Sequence, residues 1–139
     1  MVDREVFERL VKELKNALDF LKQRQGVAEE IYLTDEALQA AVERKLEIAI
    51  QFCIDIGSHI VSERNLPYPE TYKGIFATLG QERIVSLDLS ERLEGMAGFR
   101  NLLVHDYARI DARKVFQILR HELKDIEDYL KEIVDFLRL

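Results

Sequence analysis

The sequence predicts an all-α fold: an up-and-down bundle of four long helices and one short one, forming a single domain over residues 1–139. Three observations predict it. Apolar residues recur every three or four positions through every long segment, which aligns them on one face of a helix. Period-two alternation, the mark of a half-buried strand, is absent at any useful length. Only six glycines and two prolines punctuate the chain.

The first helix is predicted from about Asp3 to Gln25, on the stripe Val6, Leu10, Leu14, Ala17 and Leu21, with Gly26 as its stop. The second runs from about Asp35 to Arg64, with Thr34 or Asp35 as the cap. Its stripe is Leu38, Val42, Leu46, Ala49, Cys53, Ile56 and Ile60, and at about 1.5 Å per residue it spans roughly 45 Å. Ile48 and Phe52 add a second apolar edge, so this helix is expected to touch two neighbours. Pro67 and Pro69 end the pattern, because proline lacks an N–H and pushes the residue before it out of the α region. A short helix is expected over Tyr72 to Leu79, ended by Gly80. The next long helix covers Leu87 to His105 or slightly beyond, with Leu89, Leu93, Met96, Leu103 and Tyr107 inward. Gly95 and Gly98 lie inside it, each costing up to about 1 kcal/mol relative to alanine; they allow a close helix approach or are simply tolerated. Asp111 caps the last helix, which is expected to run unbroken to Leu137 on Val115, Leu119, Leu123, Ile126, Leu130, Ile133 and Leu137.

Composition bounds the function. The chain is 47% hydrophobic and 33% charged, a folded composition. A chain of this size needs no disulfide or metal staple. The single cysteine, Cys53, excludes an intrachain disulfide and sits in an apolar run, where a thiol acts as a small hydrophobe. The first residues mix charge with apolar groups, unlike a signal peptide, and no apolar run approaches the roughly 18–20 residues of a membrane span. A soluble, cytoplasmic protein with no membrane contact is expected. A net charge of −6 argues against coating long duplex DNA. From Gly98 to His121, however, Arg100, Arg109, Arg113, Lys114 and Arg120 outweigh Asp106 and Asp111, for a local charge of +3. Such an island suits a short anionic ligand or one RNA strand.

Within that island, Arg100-Asn101-Leu102-Leu103-Val104-His105-Asp106-Tyr107 gathers three useful groups. Arginine offers a fixed fork for phosphate, histidine moves a proton near neutral pH, and tyrosine carries a reactive hydroxyl. At about 100° per residue, Arg100 and Tyr107 fall within roughly 20° of one face, while His105 is roughly 140° from Arg100. One ideal helix therefore does not converge them. Either the helix loosens near His105, or a two-fold partner completes the site, which predicts a homodimer. By spacing alone an Arg and a His in a helix are more often structural than catalytic.

The wider segment Gly95-Met-Ala-Gly-Phe-Arg-Asn-Leu-Leu-Val-His-Asp-Tyr, followed by Ile110-Asp111, resembles the central motif of the HEPN superfamily, and more narrowly that of HepT toxins, R-x-x-x-x-H-x-Y. Ala49-Ile-Gln-Phe-Cys-Ile-Asp-Ile-Gly-Ser-His-Ile and Tyr72-Lys-Gly-Ile-Phe-Ala-Thr-Leu-Gly resemble the flanking helices of that family, so the resemblance covers about residues 3–137. It implies a homodimeric, metal-independent ribonuclease toxin, with an MntA-like nucleotidyltransferase antitoxin as partner and RNA as substrate. It further implies that Arg100 and His105 are the catalytic pair and that Tyr107 accepts AMP from the antitoxin. No cofactor and no metal are expected: His59, His105 and His121 have no ligand-like spacing, and Asp106 is the one carboxylate beside His105.

Asn101, Asp55, His59 and Arg113 are candidate supporting or phosphate-binding residues. Asp55 and His59 stand four apart on the second helix and can touch; a local hydrogen-bonded pair is the ordinary reading, orientation of the motif histidine the functional one. Arg113 and Arg120, seven apart, are nearly aligned on the last helix. Glu43-Arg44-Lys45 reads as a solvated charge run. The alternative function is a non-catalytic helical dimer that binds nucleotide or serves a nucleotidyltransferase as substrate-binding subunit.

Overall fold

A computed structural model describes residues 3–105 and 107–139, the Tyr107 side chain excepted. Seven α-helices occur among these residues, in chain order: α1 (Arg4–Arg24), α2 (Glu29–Thr34), α3 (Glu36–Glu63), α4 (Tyr72–Gln81), α5 (Leu87–His105), α6 (Ala112–His121) and α7 (Leu123–Leu137), with a 3-10 turn at Tyr107–Arg109 between α5 and α6. No strand occurs among the described residues. The expected all-α bundle is present.

Caps set the boundaries. Asp3 accepts from the Val6 N–H at 3.3 Å, and Asp35 from the Leu38 N–H at 3.0 Å, which places the starts of α1 and α3 at the predicted residues. Helix α3 ends before Pro67: Asn65 turns left-handed, with φ of 54°, and the Leu66 N–H bonds back to the Val61 carbonyl at 3.1 Å. Gly26 follows α1 without a left-handed φ. Helix α3 is the centre of the bundle and packs on all six other helices. Its buried residues include Leu46, Ala49, Cys53, Ile56 and Ile60, as the stripe predicts. On α1 the buried face begins at Phe7 rather than Val6, which is half-buried.

Three expectations about the elements change. Helix α2 was not foreseen; it is six residues long and buries only Tyr32. Gly80 does not end the short helix but lies inside α4, where an added Cβ would collide with the Ser90 side chain of α5. The turn that follows is made by Arg83, at φ of 58°, with the Ile84 N–H on the Leu79 carbonyl. The last predicted helix is two. The Gln25 amide donates to the carbonyls of both Leu119 and Arg120 at 3.2 Å, the groups an unbroken helix would pair with the N–H groups of residues 123 and 124. The break at Glu122 follows from that competition.

Helix α5 is held at its start by Ser86, whose hydroxyl accepts from the Leu89 N–H at 3.3 Å. Arg92 bridges Asp88 and Asp125, tying α5 to α7. Gly95 has nothing within 4 Å of where its Cβ would be, and Gly98 meets only the Lys73 stem at 3.7 Å. Of the two readings of these glycines, tolerance on an open face describes the monomer at Gly95.

Candidate functional site

Helix α5 carries Arg100, Asn101 and His105 in its last two turns. The Arg100 side chain is half-buried and leans on α4, with its guanidinium carbon 5.3 Å from the centre of the Tyr72 ring. Tyr72 is the first residue of α4, whose start is fixed by Thr71 accepting from the Gly74 N–H at 3.0 Å. Arg100 Nε is buried with no hydrogen-bond partner. One terminal nitrogen donates to Asn101 Oδ1 at 3.4 Å, a long contact of little strength. Among the described residues no carboxylate pairs with Arg100, so its fork stays available for an anion.

His105 is the last residue of α5 and is exposed. Because α5 remains α-helical through His105, the expected loosening does not rotate the imidazole toward Arg100. The roughly 140° between them persists within one chain, along with about 7.5 Å of helical rise. The α-helix stops there, and Tyr107 opens the 3-10 turn. The α-helical angle that placed Tyr107 on the face of Arg100 therefore does not reach it. The Tyr107 side chain, and with it the expected AMP acceptor, lies outside the described residues, as does Asp106.

Helix α5 thus carries a half-buried arginine and, five residues on, an exposed histidine. Residues 14–133 match the model of the family described as Ribonuclease HepT-like. The chain belongs to the HepT-like ribonuclease family. Two HepT relatives bear this out. The mRNA nuclease HepT of Shewanella oneidensis is 33% identical over 99 residues, covering 71% of this chain and 74% of its own. The tRNA nuclease HepT of Aphanizomenon flos-aquae is 30% identical over 132 residues, covering 95% of this chain and 90% of its own. The fold is similar to that of the tri-AMPylated Shewanella oneidensis HEPN toxin solved in complex with its MNT antitoxin. That likeness has a TM-score of 0.86 at 28% identity, over 97% of this chain and 99% of the other. The expectation of a HepT-type ribonuclease is met at the level of the family.

The supporting residues of this HepT-like chain are distributed differently from the expectation. Asp55 and His59 do not pair. Asp55 accepts from the Gln51 amide at 2.8 Å, one turn earlier, and His59 sits edge-on to the Phe7 ring of α1 at 6.1 Å. Arg113 faces Glu29 at 3.5 Å and so links α6 to α2. Arg120 donates to the Val27 carbonyl at 2.6 Å and lies 5.0 Å from the centre of the Phe116 ring. The basic island is thus partly structural, and Arg113 and Arg120 do not present two free charges side by side. Of the charge run, Arg44 pairs with Glu47 at 3.0 Å and Lys45 lies over Phe20, while Glu43 is half-buried. Burial pushes the Glu43 carboxyl above its ordinary range.

Among the described residues no group of three or more His, Cys, Asp or Glu could hold a metal ion, and no helix is long and apolar enough to cross a membrane. Concavities between α1, α3 and α7 and between α1 and α7 are lined by none of the motif residues. Sequence reasoning did not single out Tyr72 and Lys73, which the structure places against Arg100 and Gly98. Their one signal is an aromatic beside a cation at the first turn of a helix, just after a proline break.

Proposed function

We propose that this chain is the toxin of a toxin–antitoxin pair: an endoribonuclease that cleaves RNA without a metal, acts as a homodimer through Arg100 and His105, and is silenced when an MntA-like nucleotidyltransferase transfers AMP to Tyr107. The observation that carries the reading is Arg100, half-buried and without a carboxylate partner among the described residues, on the helix that also presents His105. The relatives named as RNA nucleases and the AMPylated toxin of similar fold support it.

RNA supplies its own nucleophile. The 2′-hydroxyl attacks the adjacent phosphorus while a histidine takes its proton, and the bond to the 5′-oxygen breaks as a second acid returns a proton to it. The products are a 2′,3′-cyclic phosphate and a free 5′-hydroxyl. Arg100 neutralises the charge that builds on the phosphorane. The separation of Arg100 and His105 on one helix calls for a two-fold partner, which brings a second histidine and lets one act as base and the other as acid. Asn101, whose contact with Arg100 is long, is the candidate for a supporting hydrogen bond to substrate. For silencing, the Tyr107 hydroxyl attacks the α-phosphorus of a nucleoside triphosphate and pyrophosphate leaves. The added phosphate lies two residues past His105 and opposes the positive charge meant for substrate. The cytoplasm is the expected compartment.

The test is expression of wild type, Arg100→Ala, His105→Ala and Tyr107→Phe, scoring growth and RNA integrity, with and without a chelator in the purified assay. Wild type and Tyr107→Phe are expected to cut and arrest growth, the other two to do neither, and chelation to change nothing. With the antitoxin present, Tyr107→Phe is expected to escape silencing. If all four chains behave alike, the site assignment is wrong, and if none of them cuts RNA the non-catalytic dimer takes its place.

A further inference from the structure

The first turn of α4 stands beside the motif. Tyr72 and Tyr68 are two of only four large apolar side chains exposed among the described residues, at 38% and 60%. Tyr68 lies on the connection from α3 to α4, and Tyr72 opens α4. The two tyrosines are differently held. The Tyr68 hydroxyl is hydrogen-bonded to Ser58 of α3, which fixes that ring against the bundle, whereas Tyr72 makes its ring contact with Arg100. Lys73, exposed, sends its stem across Gly98. On α5, Gly98 and His105 are seven apart and share a face, while Arg100 points to the other side. The turn therefore straddles α5, with an aromatic on the Arg100 flank and a cation on the His105 flank.

An exposed aromatic with one cation on its ring and another next to it in the chain suits single-stranded nucleic acid: every base has a face to stack, and every nucleotide has a phosphate. The Arg100 contact has a second consequence. With Nε unpartnered and, among the described residues, no hydrogen bond but the long one to Asn101, the guanidinium plane is oriented chiefly by the Tyr72 ring.

We infer that Tyr72 is the positioning residue of Arg100 and the stacking surface for the base next to the scissile phosphate, with Lys73 as a phosphate contact on the His105 flank. The inference rests on the nuclease reading for its catalytic part and on the geometry of α4 and α5 for its binding part. Tyr72 sets how RNA lies in the site. It stacks on any base, so selectivity among mRNA and tRNA targets comes from which strands can be laid unpaired across α4.

The experiment separates the two parts. Binding is read by anisotropy of fluorescein-labelled oligouridylate and oligoadenylate on chains that also carry His105→Ala, so that nothing is cut. Tyr72→Ala is expected to weaken binding of both by about 5- to 100-fold, the range of one lost base stack. Tyr72→Phe recovers most of that loss, since the ring and not the hydroxyl does the work. Lys73→Gln lowers the slope of log affinity against log salt by about 0.7, as one lost phosphate contact does on a single strand. In the cleavage assay Tyr72→Ala lowers kcat as well as raising KM, because Arg100 loses its orientation, while a melting curve shows the chain still folded. Tyr72→Ala binding and cutting like wild type overturns the inference even if wild type is an active nuclease. A wild type that cuts no RNA but loses oligonucleotide binding on Tyr72→Ala overturns the nuclease reading and leaves the α4 surface as a nucleotide site. Failure of every chain to bind either oligonucleotide overturns both.

Discussion

Two arginines divide the molecule into a region committed to its own fold and a region held open. Arg120, at the seam of α1 and α6, and Arg100, at the seam of α4 and α5, begin alike: each lies about one ring's distance over an aromatic, 5.0 Å for Phe116 and 5.3 Å for Tyr72, and each has a buried Nε without a partner. They end differently. Arg120 closes on the Val27 carbonyl at 2.6 Å and fastens the α1–α2 loop to α6. Arg100 has a 3.4 Å contact with its own neighbour and, among the described residues, no stronger hydrogen bond. The same side chain in nearly the same local setting is structural where a carbonyl is in reach and available to a ligand where none is.

The largest effects test that division directly. Arg100→Ala is expected to lower kcat/KM for RNA by about 10²–10³-fold, the usual loss when a charge-stabilising donor is removed, with stability changed by less than about 0.5 kcal/mol. Arg120→Leu is expected to do the reverse, costing roughly 1.5–3 kcal/mol for a buried bond to a charged donor and leaving the kcat of folded protein unchanged. Urea melts and initial rates on both variants check it, and equal losses of activity would erase the division.

The glycines sharpen the same comparison. At Gly57 of α3 a Cβ would meet Ile75 Cγ2 at 2.8 Å, Leu79 Cδ1 at 3.1 Å and the Tyr129 hydroxyl at 3.3 Å, all in the packed junction of α3, α4 and α7. Gly57→Ala is therefore expected to destabilise by about 1–3 kcal/mol, as overpacking does. The committed region also carries the alkaline sensitivity. Burial first, and the nearby Asp55 carboxylate second, push the Cys53 thiol well up, and burial does the same to Tyr129, whose hydroxyl donates to the Cys53 carbonyl at 2.8 Å. A raised pKa means the folded chain keeps a proton that the unfolded chain gives up. Stability is then complete below the free thiol's pKa of about 8.5 and falls above it, by roughly 1.4 kcal/mol per pH unit. Denaturation midpoints between about pH 8.5 and 10 should fall less steeply in Cys53→Ala than in wild type. The smallest effect has the opposite sign. Gly95, with open space around it, is expected to gain up to about 1 kcal/mol on conversion to alanine. A loss there, growing with protein concentration, would mean that a second chain packs on that face.

What the sequence made legible follows the range of the forces involved. Helices α1 and α3 start where Asp3 and Asp35 can cap them, and α5 runs to His105 as its stripe predicts, because caps and stripes are local. The break at Glu122 was hidden, since the residue that causes it, Gln25, is 94 positions away from the Leu119 carbonyl it takes. The bond that Arg120 makes was hidden for the same reason, its partner Val27 being 93 positions off. Helix α2 is too short to show a period. Among the candidate site residues, Arg100 and His105 stood out by family resemblance, their spacing alone being a weak signal. Tyr72 did not, because its contact with Arg100 depends on the angle at which α4 crosses α5, which no local pattern encodes.

That crossing has a mechanical consequence. Helices α4 and α5 meet without clearance where Gly80 faces Ser90, and meet again where Tyr72 faces Arg100, eight residues or about 12 Å along α4. In so closely packed a pair, a change at one end is felt at the other. A side chain added at Gly80 has no room beside Ser90 and is expected to push α4 off α5, tilting the Tyr72 ring on Arg100.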